Sequence, residues 1–313
     1  MKSDEQFLTH AEYEELGMIA GLEIHQQLDT EKKLFCKCPA VNRNDPPTAT
    51  ILRHMRPTLS ELGEYDGTAL MEFRTKKNVT YQLHRETICT YEMDDTPPFP
   101  INQTALDIAL EISLMLNCSL VDELHVSRKQ YLDGSIPTGF QRTAIVGLNG
   151  SIKLGEKQVD IIQLGLEEDA CREVHDLEHE IVFRTDRLST PLVEVVTKAQ
   201  QLHPNEVRDL ALQLGRLMRS TKKVRRGSGA TRQDVNVSIR GGDRVEIKGV
   251  SDLSLIPLLV HNEAMRQKNL LKLKDELKKK HPRGENTVKK MVDCSQSVSY
   301  THLRAHETVL DLV

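Results

Sequence analysis

No run of apolar residues in this chain approaches the ~20 that a helix needs to cross a bilayer, so no membrane is expected among its partners. With 38% hydrophobic and 28% charged residues, the composition is that of an ordinary globular protein. The first residues, MKSDEQFLTHAEYEELG, carry acids where a secretory signal would carry its apolar stretch. The six cysteines, at 36, 38, 89, 118, 171 and 294, are scattered and form no disulfide framework, which points to a reducing cytoplasm. No GxxxxGK[ST] or GxGxxG follows any strand candidate, and this excludes a P-loop and a dinucleotide-binding fingerprint. The net charge of −4 gives no chain-wide sign of nucleic-acid binding. Two local basic runs stand out: Lys222, Lys223, Arg225 and Arg226 before a Gly-Ser-Gly, and LLKLKDELKKKHPR further on. By themselves such runs read as solvated surface.

What is present is a succession of short strand patterns with a few clear helices. At 313 residues the chain is long enough for one large core or for two modest ones, since single cores stop growing near ~250–300 residues. MIAGLEIHQQL, TAIVGL, SIKL, VDIIQLGLEED, PLVEVVT, QDVNVSIR and RVEIKGV read as strands. The Gly-containing joints between them, Asn149-Gly150 and Gly241-Gly242-Asp243, favour hairpins and antiparallel pairing. Ala105 to Leu116 is apolar at helical spacing, with Asn102 and Thr104 as alternative caps. Pro204 to Arg219 opens with proline and closes with arginine, as the helix dipole prefers. Ile256 to Lys280 reads as one long helix that HPRG then stops. The fold class expected is α+β, helices packed on a largely antiparallel sheet.

The chemistry-bearing residues cluster on the strands. In GLEIHQQL, Glu23, His25 and Gln27 alternate with Leu22 and Ile24, so a carboxylate and an imidazole share one sheet face. His25 alone would read as a satisfied core histidine; beside Glu23 it becomes a candidate ligand. Glu167, Glu168 and Asp169 close LGLEED, and Glu194 lies inside PLVEVV. A carboxylate embedded in a β-branched run needs a cation, because an unpaired buried charge costs several kcal/mol (order of magnitude). An arginine partner and a metal ion both answer that need, and oxygen ligands from several strands would suit Mg²⁺. Asp234, Asn236 and Ser238 oppose Val235, Val237 and Ile239, and Glu246 and Lys248 oppose Val245 and Ile247. That polar face reads either as a lined site or as the solvated side of an antiparallel sheet. Cys36 and Cys38 could supply half a zinc site, but no second CxxC or HxxxH follows, so zinc is not expected.

The ordered motifs GLEIHQQL with LFC, RKQYLDGSIPTGFQRT, LEEDA, TPLVEVV, TRQDVNVSI and VEIKGV together resemble the GatB/GatE family of tRNA-dependent amidotransferase subunits over about Ala20 to Leu270. ELGEYD, GFQRT and QDVNVS resemble its archaeal E-type branch. The resemblance implies a cradle similar to that of glutamine synthetase. It implies ATP- and Mg²⁺-dependent phosphorylation of the γ-carboxylate of glutamate mischarged on tRNA(Gln), followed by amidation with ammonia from an asparaginase-like D-type partner subunit. His25, Glu168 and Glu194 match the family's metal-binding positions, with Glu23 beside them; Arg232 and Lys248 lie on the same cradle and are assigned to phosphate charge on chemical grounds. RHMRPTLSELGEYD stands where B-type subunits complete a zinc site with CxxC, in keeping with an E-type chain. The alternatives are a B-type subunit that also acts on Asp-tRNA(Asn), and an inactive tRNA-binding scaffold. The resemblance further implies a homodimer within a heterotetramer for the full-length subunit. By it, residues 1–275 form the catalytic cradle and 276–296 begin an insertion domain. Residues 297–313 resemble a translated sequencing-adaptor read and are expected to be a non-native tail.

Overall fold

The computed structural model describes residues 7–54, 63–65, 67–74, 77–94, 96–177, 179–227 and 229–280. Most of RHMRPTLSELGEYD, the HPRG stop and residues 281–313, which hold most of the expected insertion segment and the whole tail, lie outside them. The chain divides into two compact units, Met1–Lys268 and Asn269–Val313. The elements of the first unit, in chain order, are α1 (His10–Glu15), β1 (Ile19–Gln27), β2 (Ala49–Arg53), α2 (Gly67–Arg74), β3 (Asn78–Leu83), α3 (Thr90–Asp94), α4 (Gln103–Met115), β4 (Ser119–Leu120), β5 (Val126–Gln130), β6 (Phe140–Leu154), β7 (Lys157–Glu168), β8 (Arg172–Leu177), β9 (Glu180–Arg184), β10 (Pro191–Thr197), α5 (Pro204–Ser220), β11 (Thr231–Ser238) and β12 (Val245–Val250). The last helix, α6 (Ile256–Lys280), crosses the division. No described helix is long and apolar enough to cross a membrane.

The α+β expectation holds. Eight strands form one sheet in the order β12-β11-β1-β10-β7-β6-β4, with β5 also on β6, and every pairing in it is antiparallel. A second sheet, β2-β3-β9-β8, contains a parallel pair, β3 with β9. Of its strands β3 alternates clearly, Val79 and Tyr81 being buried between Asn78, Thr80 and Gln82, while β2, β8 and β9 are short and show no regular alternation.

The helices form where capping and spacing dictate. Asn102, rather than Thr104, caps α4 by accepting from the amide of Ala105 at 3.1 Å. His203 caps α5, and Glu206 reaches back to its amide at 2.7 Å. Along α5, Val207, Leu210, Ala211, Leu214 and Met218 are buried at helical spacing. The helix packs on β1, whose Ala20, Leu22 and Ile24 are fully enclosed. Each large aliphatic side chain so buried contributes roughly 1.5–3 kcal/mol. The apolar side of β1 is thus core, and its alternate residues are directed to the other face.

One hairpin expectation is corrected. Asn149-Gly150 is not a turn: β6 runs through it, and the chain reverses only after Leu154, where Leu154 pairs with Lys157. Glycine is needed at 150 because a Cβ there would sit 2.6 Å from the carbonyl oxygen of Leu116 and would collide with the sulfur of Cys118. The Gly241 turn between β11 and β12, with φ +81°, is a hairpin as expected.

Cys171 is enclosed at 2% exposure with Val79, Tyr81, Ile181 and Phe183 in the core of the small sheet. There a thiol serves as a small apolar side chain.

Candidate active site

The odd-numbered residues of β1 supply three adjacent stations along one cleft. In the antiparallel register, Glu23 lies beside Asp234, and His25 lies between Arg232 on β11 and Glu194 on β10. Residues directly opposite in such a pair share a face, so the period of two in GLEIHQQ places Glu23, His25 and Gln27 in a row. The cleft above them holds about 500 Å³ and is also lined by Lys129, Tyr131, Asp169, Arg187 and Lys248.

At the central station, His25 Nε2 lies 3.2 Å from Glu194 Oε1, and Glu167 joins them so that ligand atoms of all three fall within 4.8 Å of one another. Burial works against the charge on Glu194, but the hydrogen bond and charge of His25 hold its carboxyl below the ordinary range. Burial likewise opposes a charged His25, yet Glu194 raises its pKa above the usual value. Glu167 moves the other way: burial first, then the repulsion of Glu194, push it up to about 7. Its Oε1 accepts from Thr143 at 2.9 Å, while its buried Oε2 has no hydrogen-bond partner among the described residues. Two carboxylates and one imidazole, with an orphaned buried oxygen among them, fit a hard divalent cation such as Mg²⁺ or Mn²⁺.

The second station gathers Glu23, Asp234 and Glu246 within the same 4.8 Å limit. Asn236 donates to Glu23 at 3.0 Å, the amide of Gly249 donates to Asp234 at 2.7 Å, and Lys248 lies 3.1 Å from Glu246 and 3.8 Å from Asp234. At the third station Gln27 donates to Asp169 at 2.6 Å, and Arg232 donates to the same carboxylate at 2.8 Å.

The structure therefore brings His25 and Glu194 together, places Glu23 one station away, and sets both expected cations, Arg232 and Lys248, on the same cleft, each in ion pairs with neighbouring acids. Glu168 is elsewhere. Successive residues of a strand alternate faces, so Glu167 points to the cleft and Glu168 to the opposite side. There Glu168 is 4% exposed and accepts from the Tyr91 hydroxyl at 2.6 Å and from the Arg142 amide at 3.1 Å. The Arg142 guanidinium lies 3.8 Å from its carboxylate and over the Tyr91 ring. Residue by residue, the third acid of the histidine station is Glu167. Both residues stand in LEEDA, and only the register against Thr143 and Leu192 separates them.

A second group contradicts the premise that Cys36 and Cys38 stand alone. The fold brings Cys89 and Glu92 to them, and ligand atoms of all four lie within 4.8 Å of one another. The sequence signal that could have found them is the Cys-x-x-Glu of ICTYEMD. The thiols of Cys36 and then Cys38 draw the Cys89 thiol far below its ordinary range, favouring a thiolate. Three sulfurs and a carboxylate fit zinc. Glu92 is also paired at 2.6 Å with Lys33, both side chains fully enclosed.

A family model for the GatB/GatE catalytic domain matches residues 18–310. A relative from Methanocaldococcus jannaschii, the E-type subunit of glutamyl-tRNA(Gln) amidotransferase, is 45% identical over 284 residues, which is 91% of this chain and 45% of the relative. Proteins of the same name from Saccharolobus islandicus and Methanothermobacter thermautotrophicus are 48% identical over 273 residues and 45% identical over 293, covering 87% and 94% of this chain but 43% and 47% of their own lengths. The chain spans a little under half the length of these relatives.

Proposed function

The chain belongs to the GatB/GatE catalytic domain family, and from that premise we propose that it carries the kinase step of a Glu-tRNA(Gln) amidotransferase. In this reading the sheet face is a cradle like that of glutamine synthetase. A γ-carboxylate oxygen of glutamate on tRNA(Gln) attacks the terminal phosphorus of ATP and ADP leaves. Ammonia delivered by an asparaginase-like partner subunit then attacks the acyl carbon and phosphate leaves, giving Gln-tRNA(Gln). The observation that carries the reading is the buried His25–Glu167–Glu194 group on the floor of the cleft, with a second acidic trio and Arg232 beside it.

Divalent cations bound there would draw charge from the phosphate oxygens. His25, Glu167 and Glu194 would hold one, and Glu23, Asp234 and Glu246 have the oxygen donors for another. Glu194 keeps its charge because His25 stabilises it, so it serves as the fixed anionic ligand. Phosphoryl transfer asks little covalent chemistry of the protein; positioned charges supply most of the effect. Much of the tRNA grip belongs, in this reading, to parts of the longer relatives that this chain does not match.

The test is phosphate release from ATP that depends on Glu-tRNA(Gln), measured for the chain extended with the remaining segments of its archaeal relatives and for Glu194→Gln in that same protein, with the partner subunit supplied, beside a titration with ATP and Mg²⁺. Wild type should release phosphate and the variant should not, since the substitution keeps shape but removes a ligand charge. Equal turnover in the two proteins would remove Glu194 from the site and the reading with it.

A further inference from the structure

Asp169 sits where the cleft face of β7 ends, and its carboxylate is enclosed at 2% exposure, yet it belongs to neither acidic trio. Four groups converge on it. Arg232 reaches it with both terminal nitrogens, Nη2 to Oδ1 at 2.8 Å and Nη1 to Oδ2 at 3.4 Å. Gln27 donates to Oδ2 at 2.6 Å and the amide of Ala170 to Oδ1 at 2.9 Å. Arg187 Nε lies 3.7 Å away. The backbone is fixed as well, the amide of Asp169 donating to the carbonyl of Thr190 at 2.9 Å and its carbonyl accepting from the amide of Ser189 at 2.8 Å.

Both arginines line the cleft, and each keeps part of its side chain open, 32% for Arg232 and 22% for Arg187. Arg187 is further tied by Nε to the carbonyl of Ala170 at 2.9 Å and by Nη2 to that of Cys171 at 2.6 Å. Two guanidinium groups around one carboxylate leave this cluster itself with an excess of positive charge. It lies beside the histidine station, since Arg232 is the register partner of His25.

We propose that Asp169 is a positioning residue that holds Arg187 and Arg232 as a preformed two-guanidinium clamp for the terminal phosphate of the nucleotide. The proposal rests on the kinase reading above and adds to it a receiver for the phosphate opposite the acidic stations. A free arginine loses most of its rotamer freedom when it grips an oxyanion. Anchoring both guanidinium groups in advance removes that loss at the moment of binding. Gln27 makes the device continuous with the histidine station, because the same strand carries His25 two residues earlier.

The sign of the effect separates positioning from plain electrostatics. Asp169→Asn removes a negative charge from beside a site for an anion, so charge alone predicts tighter binding. Loss of the anchor predicts weaker binding.

The probes are AMP-PNP with Mg²⁺ and, separately, AMP, titrated into the wild-type chain, Asp169→Asn and Arg187→Lys. For both variants the affinity for AMP-PNP should fall by about tenfold, the scale of a lost charge-assisted hydrogen bond, while that for AMP stays within about twofold. A merely structural role would lower both affinities together. Unchanged or tighter AMP-PNP binding, or a parallel loss for AMP, overturns the clamp while leaving the kinase reading in place. Failure of the wild-type chain to bind AMP-PNP with Mg²⁺ overturns both. Should Asp169→Asn not fold, Arg187→Lys, which keeps the charge and loses the fork, decides the matter by the same ratio.

Discussion

Lowering the pH from 8 to 6 sets protons against a divalent cation at His25, Glu167 and Glu194. Burial first, and then the charge of Glu194, raise Glu167 from an ordinary 4.5 to about 7. At pH 6 roughly ten molecules in eleven therefore carry its proton, and displacing that proton weakens the apparent affinity for Mg²⁺ by about tenfold relative to the plateau above pH 8. His25 steepens the dependence. Although burial opposes its charge, Glu194 holds its pKa above 6.5, and only the neutral ring can be a ligand. Affinity should thus fall with pH by between about one and two powers of ten per unit once both groups are protonated.

The same shift acts on stability with a defined sign. A carboxyl whose folded pKa is raised contributes stability that is fully present below 4.5 and lost as pH rises through about 7. For Glu167, 1% exposed, the loss in the metal-free chain amounts to about 3 kcal/mol, and Glu167→Gln should abolish it. Calorimetric titration with Mg²⁺ at pH 6, 7 and 8, in buffers of different ionisation heat, counts the protons released. The wild-type chain should release more than about one per ion at pH 6, and Glu167→Gln about one fewer. Affinity that stays constant from pH 6 to pH 8 would refute the assignment of these three residues to a common cation.

Other expectations follow from neighbouring groups. In the chain stripped of metal by chelator, Lys33→Met leaves Glu92 buried without its partner at 2.6 Å, so chemical denaturation should show a loss of about 3–5 kcal/mol, much of it recovered when Glu92→Leu is added. Metal analysis of the chain purified without chelator should find about one zinc, bound through Cys36, Cys38 and Cys89, and Cys89→Ala should remove it; a zinc-free wild-type chain would show that the thiols serve only packing. Glu168→Gln should cost about 1–3 kcal/mol of stability through its bonds to Tyr91 and Arg142. It should also leave Mg²⁺ affinity within about twofold, a result that calorimetry would contradict if Glu168 reached the cleft.

Local pattern by itself determined a large part of this protein. The alternation in GLEIHQQ fixed which side chains of β1 share a face, because side-chain direction in a strand depends on parity alone. The apolar spacing of α4, α5 and α6, with proline and capping residues at their starts, set those helices nearly to the residue, since helix boundaries are decided within a few neighbouring positions. Where each acid ends up was a tertiary matter. In LGLEE the last five residues of β7 are all buried, so the hydrophobic alternation that would tell Glu167 from Glu168 disappears. Only pairing with β6 and β10 settles the parity. Asn149-Gly150 carries a turn signal that the close approach of Cys118 and Leu116 overrides. The small sheet eluded the sequence because its parallel pair joins Asn78–Leu83 to Glu180–Arg184, and no local signal encodes so distant a partner. For the same reason Cys89 and Glu92 reach Cys36 and Cys38, and Arg187 and Arg232 reach Asp169, only once the whole chain has closed around them: composition and period say which groups face inward, and long-range register decides which of them meet.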